Sequence, residues 1–137
     1  GRSIIGTAGI LVTKVEYIKK AGDKKFAIID AGMNDLIRPS LYQAWHRVKE
    51  VEQREIEVEV YDLAGPVCET GDILAKEREL KILADDYVAI MDVGAYGSVM
   101  TSNYNSRLRP IELLVTGDKT QVIRKRESFE DLISLET

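Results

Sequence analysis

Alternating hydrophobic and polar positions predict that most of this chain is β-strand. Ile10 to Lys19 is rich in β-branched residues, and a turn at Ala21-Gly22-Asp23 connects it to a second strand, Phe26 to Asp30. This spacing predicts a hairpin. Glu55 to Val60 alternates strictly between glutamate and an aliphatic residue, which predicts a half-buried strand with a glutamate-lined outer face.

The rest of the chain shows further short elements. A third strand follows His46, and apolar pieces begin at Ile73 and Leu80. The other predicted strands are Val88 to Val93, Ile111 to Val115 and Gln121 to Arg124. Predicted short helices are Ser3 to Ala8, Ser98 to Tyr104, and a last one that starts with the capping-box spacing of Ser128 and Asp131. Many short strands with only small helices indicate a mostly β fold, either a barrel or a sandwich.

Composition narrows the class of protein. The 137 residues suit about one domain, and the net charge of −4 argues against a general nucleic-acid binder. No apolar run has the length of a membrane span, and no signal-peptide pattern opens the chain. One cysteine cannot form an internal disulfide, so we expect a reducing, cytoplasmic setting. With a single cysteine and a single histidine, we expect no metal site.

The segment Gly65 to Asp72 contains the candidate chemistry. It holds the only cysteine, Cys68, directly beside Glu69, and turn-forming pairs bound it at both ends. A thiol next to a carboxylate suits proton transfer together with recognition of a cation. On these residues alone, the alternative that Cys68 is a small buried hydrophobe beside a solvated Glu69 is favoured.

Two further groups of polar residues are candidates for binding. Pro39 disfavours helix at Arg38, so we expect Arg38 to leave an extended segment just before a short helical turn. Arg38 and Tyr42, four residues apart, would then share a face. Tyr96, between Gly94 and Gly97, is suited to an anion through its hydroxyl and nearby backbone N–H groups. An ordinary surface turn and a strand-end tyrosine packed on the surface are the alternatives. We expect Trp45 and His46 to have packing or surface roles.

Several segments in order along the whole chain resemble the C-terminal part of the diaminopimelate decarboxylases, which are pyridoxal-phosphate enzymes of the alanine-racemase-like fold. The segments are Gly1-Arg2-Ser3-Ile4, Asp30 to Pro39, Cys68-Glu69-Thr70-Gly71-Asp72, Gly94-Ala95-Tyr96-Gly97 and Ser102 to Arg107. The resemblance implies the β-barrel or sandwich domain of a fold-type III decarboxylase. Residues 1–9 would be the tail of a preceding (β/α)8 barrel that carries the cofactor lysine, and residues 10–137 the β domain.

The resemblance also implies roles for individual residues. Tyr96 and Arg2 would contact both the pyridoxal 5'-phosphate cofactor and the substrate, meso-diaminopimelate. Arg38 and Tyr42 would receive the substrate's distal carboxylate, and Glu69 its distal ammonium. Cys68 would return a proton after carbon dioxide leaves. Cys68 and Glu69 would act in the neighbouring subunit's site, so a homodimer with shared active sites is implied. The chain alone is expected to be inactive.

Two alternative functions stay open at this point. One is a related basic amino-acid decarboxylase acting on ornithine, arginine or carboxynorspermidine, in which we expect a different residue at Glu69. The other is a stand-alone β-barrel that serves as a binding module.

Overall fold

The computed structural model describes residues 1–137 and consists mainly of short strands. The strands are Ile10–Ala21 (β1), Lys24–Ile29 (β2), Val48–Glu50 (β3), Glu59–Ala64 (β4), Ile73–Leu80 (β5), Tyr87–Met91 (β6), Glu112–Thr116 (β7) and Lys119–Arg124 (β8). The helices are Arg2–Ile5 (α1), Arg38–Tyr42 (α2) and Phe129–Ile133 (α3), and 3₁₀ turns span Gly6–Ala8, Ser98–Met100 and Tyr104–Ser106. No helix is both long and apolar enough to cross a membrane.

Six strands form one sheet in the order β3-β6-β1-β2-β4-β5, and β7 and β8 form a separate hairpin. The β1–β2 pair is antiparallel, as the hairpin prediction requires, while β2 and β4 run parallel. The two edge strands, β3 and β5, lie next to each other. Across this seam, Glu50 in β3 accepts a hydrogen bond from the Lys81 N–H at 2.8 Å. The sheet therefore curls into a nearly closed barrel, and the predicted mostly β fold is confirmed.

The barrel encloses a single apolar core. Its side chains come from all six strands of the sheet and from the loops between them, and the most completely buried are Val15, Ala27, Ile29, Leu63, Val88 and Ile90. Inward-pointing aliphatic residues on alternate strand positions are the expected lining of a small barrel. The loops that leave this core at one end carry the candidate site residues.

The prediction for Glu55 to Val60 was wrong. Only Glu59 and Val60 belong to a strand, β4, and residues 55–58 are irregular. Val58 and Val60 are 55% and 51% exposed, whereas Glu59 is partly buried, so the predicted inner and outer faces are reversed over residues 58–60. Glu59 is held by an ion pair with Lys25 and by the Tyr61 hydroxyl at 2.9 Å, and these partners compensate its partial burial.

The predicted helix from Ser98 to Tyr104 was also wrong. The segment contains two separate 3₁₀ turns, with Thr101 in an extended conformation between them. The Ser102 N–H donates to the Asn34 carbonyl at 3.0 Å, so this backbone is held by another loop rather than by its own helical hydrogen bonds. The capping-box helix was predicted correctly, since the Ser128 hydroxyl accepts the Asp131 N–H and Asp131 accepts the Ser128 N–H.

Candidate active site

A cavity of about 420 Å³ lies where α1, α2 and the end of β6 meet. Arg2 is the first residue of α1 and Arg38 the first residue of α2, and both line this cavity. Trp45, His46 and Asp92 also line it. The structure thus brings together two arginines that are far apart in the sequence and were predicted to contact the same ligand.

The guanidinium groups of Arg2 and Arg38 have no carboxylate partner within the chain. Four other arginines, Arg54, Arg107, Arg109 and Arg124, form ion pairs, whereas Arg47, Arg78 and Arg126 do not. Two unpaired guanidinium groups beside one carboxylate, that of Asp92, give the cavity a net positive charge. Because guanidinium matches carboxylate and phosphate oxygens in geometry, this donor set is suited to an anionic ligand.

Tyr42 and Tyr96 lie outside the wall of this cavity. Tyr42 ends α2 and is 61% exposed, and the helix stops at Gln43, whose φ of 54° is left-handed. Tyr96 is 49% exposed and itself has a φ of 62°, in the turn that follows β6. Neither hydroxyl makes a hydrogen bond within the chain. Both phenols therefore remain accessible to a ligand or a neighbouring molecule.

Close packing of backbone holds the Tyr96 turn against α1. The Gly94 N–H donates to the Gly6 carbonyl and the Val93 N–H to the Gly9 carbonyl, each at 3.0 Å. A Cβ on Gly94 would overlap the Ile5 carbonyl oxygen. Glycine is therefore required sterically at this position, and it sets the distance between α1, which carries Arg2, and the turn that carries Tyr96.

The loop that holds Cys68 and Glu69 is organised by Asp72. This carboxylate is 2% exposed and accepts the Val67 N–H at 2.7 Å and the Met33 N–H at 2.6 Å. Burial raises the pKa of Asp72, while these two backbone donors oppose the rise. Cys68 is a free, exposed thiol. The loop therefore presents Cys68 outward from an anchored base.

Glu69 lines a different cavity from Arg38. This second cavity, of about 500 Å³, is lined also by Met33, Ile37 and Tyr104. The Tyr104 hydroxyl donates to a Glu69 carboxylate oxygen at 3.3 Å. Within one chain, the predicted carboxylate and ammonium partners of the substrate are thus not in the same cavity.

The loop of residues 30–36 contacts both the Cys68 loop and the Tyr104 segment, and it was not predicted as part of the site. Asn34, which is 2% exposed, accepts a hydrogen bond from Arg107 Nε at 2.8 Å. Arg107 also donates to the Asp30 carbonyl at 2.6 Å and lies 3.7 Å from Asp35. Burial raises the pKa of Asp35, and the positive charge of Arg107 opposes that rise. The only sequence signal was that these residues fall in two segments of the family resemblance.

Trp45 and His46 combine packing roles with a place in the cavity wall. The Trp45 ring stacks on Arg78, with 4.7 Å between guanidinium carbon and ring centroid. His46 is 2% exposed, its Nδ1 donates to the Met91 carbonyl at 2.8 Å, and its Nε2 is buried without a partner. The expected packing roles are thus seen, but their position beside Arg2 and Arg38 was missed. No group of three or more His, Cys, Asp or Glu side chains is placed to hold a metal ion.

Comparison with known families identifies the domain. Residues 4–94 match the family described as pyridoxal-dependent decarboxylase, C-terminal sheet domain. The chain belongs to this family. The match begins inside α1, after Arg2, and covers α2, the Cys68 loop and all six strands of the sheet. It ends at Gly94, just before the Tyr96 turn completes.

Relatives of this decarboxylase sheet domain are similar over its whole length. The chain is 53% identical to diaminopimelate decarboxylase from Pseudomonas aeruginosa over 100% of the chain and 33% of the relative. It superposes on the crystal structure of diaminopimelate decarboxylase from Helicobacter pylori complexed with L-lysine with a TM-score of 0.92 and 50% identity, covering 99% of the chain and 34% of that structure. Lysine decarboxylase from Selenomonas ruminantium is more distant, with a TM-score of 0.68 and 25% identity over 80% of the chain and 29% of that structure.

These comparisons confirm the resemblance to the diaminopimelate decarboxylases. The chain spans about one third of the length of the relatives it matches. The roles of Arg2, Arg38, Tyr42, Cys68, Glu69 and Tyr96 stay predictions, and the structure adds their positions.

Proposed function

We propose that this chain is the C-terminal domain of a pyridoxal-phosphate-dependent decarboxylase that converts meso-diaminopimelate to L-lysine. The observation that carries the proposal is the pair of unpaired arginines, Arg2 and Arg38, in one cavity of a domain whose relatives bear this activity in their names. Residues 10–137 are the β domain, and residues 1–9 the tail of the preceding barrel. The free thiol of Cys68 is consistent with a cytoplasmic enzyme.

Arg2 and Tyr96 provide hydrogen-bond donors beside α1 that fit the phosphate of the cofactor. Arg2 supplies a charged, planar donor without an internal partner, and Tyr96 supplies a free phenol on a turn held against the same helix. Pyridoxal phosphate, when bound, withdraws electrons from the substrate's α-carbon and so stabilises the charge that forms as carbon dioxide leaves. Arg2 and Tyr96 hold the phosphate end and contact the substrate beside it.

Arg38 and Tyr42, four residues apart on α2, receive the distal carboxylate of the substrate. Arginine binds a carboxylate in bidentate fashion, and the phenol adds a neutral donor. The carboxylate that leaves as carbon dioxide is the one on the reacting α-carbon, so the product L-lysine keeps the distal carboxylate that Arg38 and Tyr42 bind. Their role is thus to bind and orient the substrate rather than to drive release of the product.

Glu69 binds the distal ammonium, and Cys68 donates the proton that replaces carbon dioxide at the α-carbon. A thiol carries a proton that it can donate as a general acid. Glu69 and Arg38 line separate cavities within one chain. We propose a homodimer in which Cys68 and Glu69 complete the partner's active site, as the family resemblance implies.

The test is an assay of the full-length enzyme that contains this domain. With added pyridoxal phosphate, it should release carbon dioxide and L-lysine from meso-diaminopimelate. L-lysine, L-ornithine and L-arginine should be poor substrates, since each lacks the distal carboxylate that Arg38 is proposed to bind. Faster decarboxylation of any of these three would overturn the proposed substrate and favour the related basic amino-acid decarboxylases.

A matched pair of variants tests the assignment of Arg38. Arg38→Ala should raise KM for meso-diaminopimelate about 10- to 100-fold, because a carboxylate loses its charged donor. Arg126→Ala, which removes an exposed arginine without an ion pair, should leave KM unchanged. An unchanged kcat/KM in Arg38→Ala would exclude Arg38 from the substrate site.

A further inference from the structure

The contact between Tyr104 and Glu69 joins two segments that are 35 residues apart in the sequence. The Tyr104 hydroxyl donates to Oε2 of Glu69 at 3.3 Å at the edge of the 500 Å³ cavity. Glu69 makes no ion pair within the chain, and Tyr104 is its only side-chain donor. The second carboxylate oxygen, Oε1, therefore stays free to accept a hydrogen bond from a ligand.

Both partners of this contact stand on anchored backbone. The Tyr104 segment is held by the Ser102 N–H, which donates to the Asn34 carbonyl at 3.0 Å, and by Arg107 Nε, which donates to the Asn34 side chain at 2.8 Å. On the other side, the Glu69 carbonyl accepts the Asp72 N–H at 3.0 Å. With both backbones fixed, the phenol restricts the side-chain torsions of Glu69, and this ordering is set before a ligand arrives.

We propose that Tyr104 is a positioning residue that orients the Glu69 carboxylate toward the ammonium of an amino-acid ligand with a second cationic centre. The inference rests on the proposed function, because it takes Glu69 as the partner of the distal ammonium. The inference adds Tyr104 to the proposed binding site of the distal ammonium. The Tyr104 hydroxyl donates a hydrogen bond to Glu69 Oε2, and Oε1 faces the ligand. Tyr104 and Glu69 belong to the same chain, so they act as one unit in whichever subunit's site they complete.

The test is a double-mutant cycle in the full-length enzyme. Tyr104→Phe keeps the ring and removes only the hydroxyl, and it should raise KM for meso-diaminopimelate about tenfold with little change in kcat. In the Glu69→Ala background, the same substitution should change KM less than twofold, because the group it orients is gone. Tyr17→Phe is the matched control, since that tyrosine is 52% exposed on β1 and makes no side-chain hydrogen bond.

Two results would overturn the inference: an unchanged KM in Tyr104→Phe, or an equal tenfold rise in both backgrounds. The affinity for L-lysine, measured by titration calorimetry, is a second readout that does not depend on turnover, and Tyr104→Phe should weaken it severalfold. If the unmodified enzyme does not decarboxylate meso-diaminopimelate, the proposed function fails. The calorimetric cycle still decides the role of Tyr104 in that case, since unaltered L-lysine affinity in Tyr104→Phe contradicts it.

Discussion

The Asp72 carboxylate and the Met33 N–H, 39 residues apart in the sequence, are joined by a hydrogen bond of 2.6 Å. The other oxygen of Asp72 accepts the Val67 N–H at 2.7 Å, directly before Cys68. One buried side chain thus ties the loop that carries Cys68 and Glu69 to the loop that precedes α2. The Ser40 hydroxyl of α2 adds a second tie, because it donates to the Gly71 carbonyl at 2.5 Å.

We expect Asp72→Asn to disturb the loop that carries Cys68 and Glu69. Asparagine offers one acceptor oxygen instead of two, so the N–H of either Met33 or Val67 loses its partner, at a cost of about 1–3 kcal/mol. In the full-length enzyme, kcat/KM should fall at least tenfold, and the thermal midpoint should fall by a few degrees. Steady-state kinetics and calorimetry measure these effects.

Asp118→Asn is the control for this substitution, since Asp118 lies in the exposed turn between β7 and β8. It should leave both kinetics and stability unchanged. If Asp72→Asn retained full activity with Cys68 intact, the proposed anchoring of the loop would be wrong.

Gly94→Ala should separate the Tyr96 turn from α1. The added Cβ would lie 2.8 Å from the Gly9 nitrogen and would overlap the Ile5 carbonyl, and neither backbone atom can move independently. Overpacking of this kind costs about 1–3 kcal/mol. We expect lower stability and at least tenfold weaker binding of pyridoxal phosphate, measured by fluorescence titration of the full-length apoenzyme.

Asp118→Asn, in the exposed turn between β7 and β8, is the control here as well and should leave cofactor affinity unchanged. Wild-type cofactor affinity in Gly94→Ala would contradict the steric argument.

The Arg54–Asp86 pair should contribute stability that is lost in acid. Arg54 Nε donates to Asp86 at 2.8 Å, and this hydrogen bond holds the pKa of Asp86 below its ordinary value. Because the folded-state pKa is the lower one, the contribution is fully present above the unfolded pKa of about 4 and disappears as the pH falls through the folded value. Arg54→Met should therefore lower the midpoint of urea-induced unfolding near pH 7. The difference from wild type should shrink progressively as the pH is lowered toward about 2.

The control for the pH prediction is Arg126→Met, which removes an exposed, unpaired charge and should shift the urea midpoint little at any pH. A difference between wild type and Arg54→Met that stays constant from neutral to acid pH would show that the pair does not act through ionisation of Asp86.

Two differently inactivated subunits should complement each other if Cys68 and Glu69 act in the partner's site. Cys68→Ala alone should reduce kcat by about 10²- to 10⁴-fold, through loss of the proton donor. Mixed with a variant that lacks the cofactor lysine of the barrel, it should form hybrid dimers with one complete site. Random exchange makes half of the dimers hybrids, so activity should recover to about a quarter of the wild-type value at most.

Subunit exchange must be verified independently, for example by native mass spectrometry of differently tagged chains. If hybrids form and activity does not return, the loop acts within its own subunit, and the shared-site proposal is wrong.

Features that depend on neighbouring residues were predictable from the sequence. The β1–β2 hairpin followed from a run of β-branched residues on each side of Ala21-Gly22-Asp23, and the last helix from Ser128 and Asp131. Both are set by interactions within a few residues, which a sequence pattern records directly. The family resemblance was also predictable from the sequence and was confirmed. It depends on short motifs and on their order along the chain, and both can be seen without the tertiary structure.

Tertiary structure alone decided which face of Glu55 to Val60 is buried and which loops meet. Glu59 is partly buried, and its carboxylate is satisfied by Lys25 on β2 and by Tyr61 on its own strand. An alternating pattern cannot reveal a partner such as Lys25 on another strand. The contacts of Asp72 with Met33 and of Tyr104 with Glu69 join residues 39 and 35 positions apart. The sequence by itself determined most of the elements and the candidate residues. The pairing order of the strands determined which of those residues share a cavity, because pairing places the loops at the ends of neighbouring strands side by side.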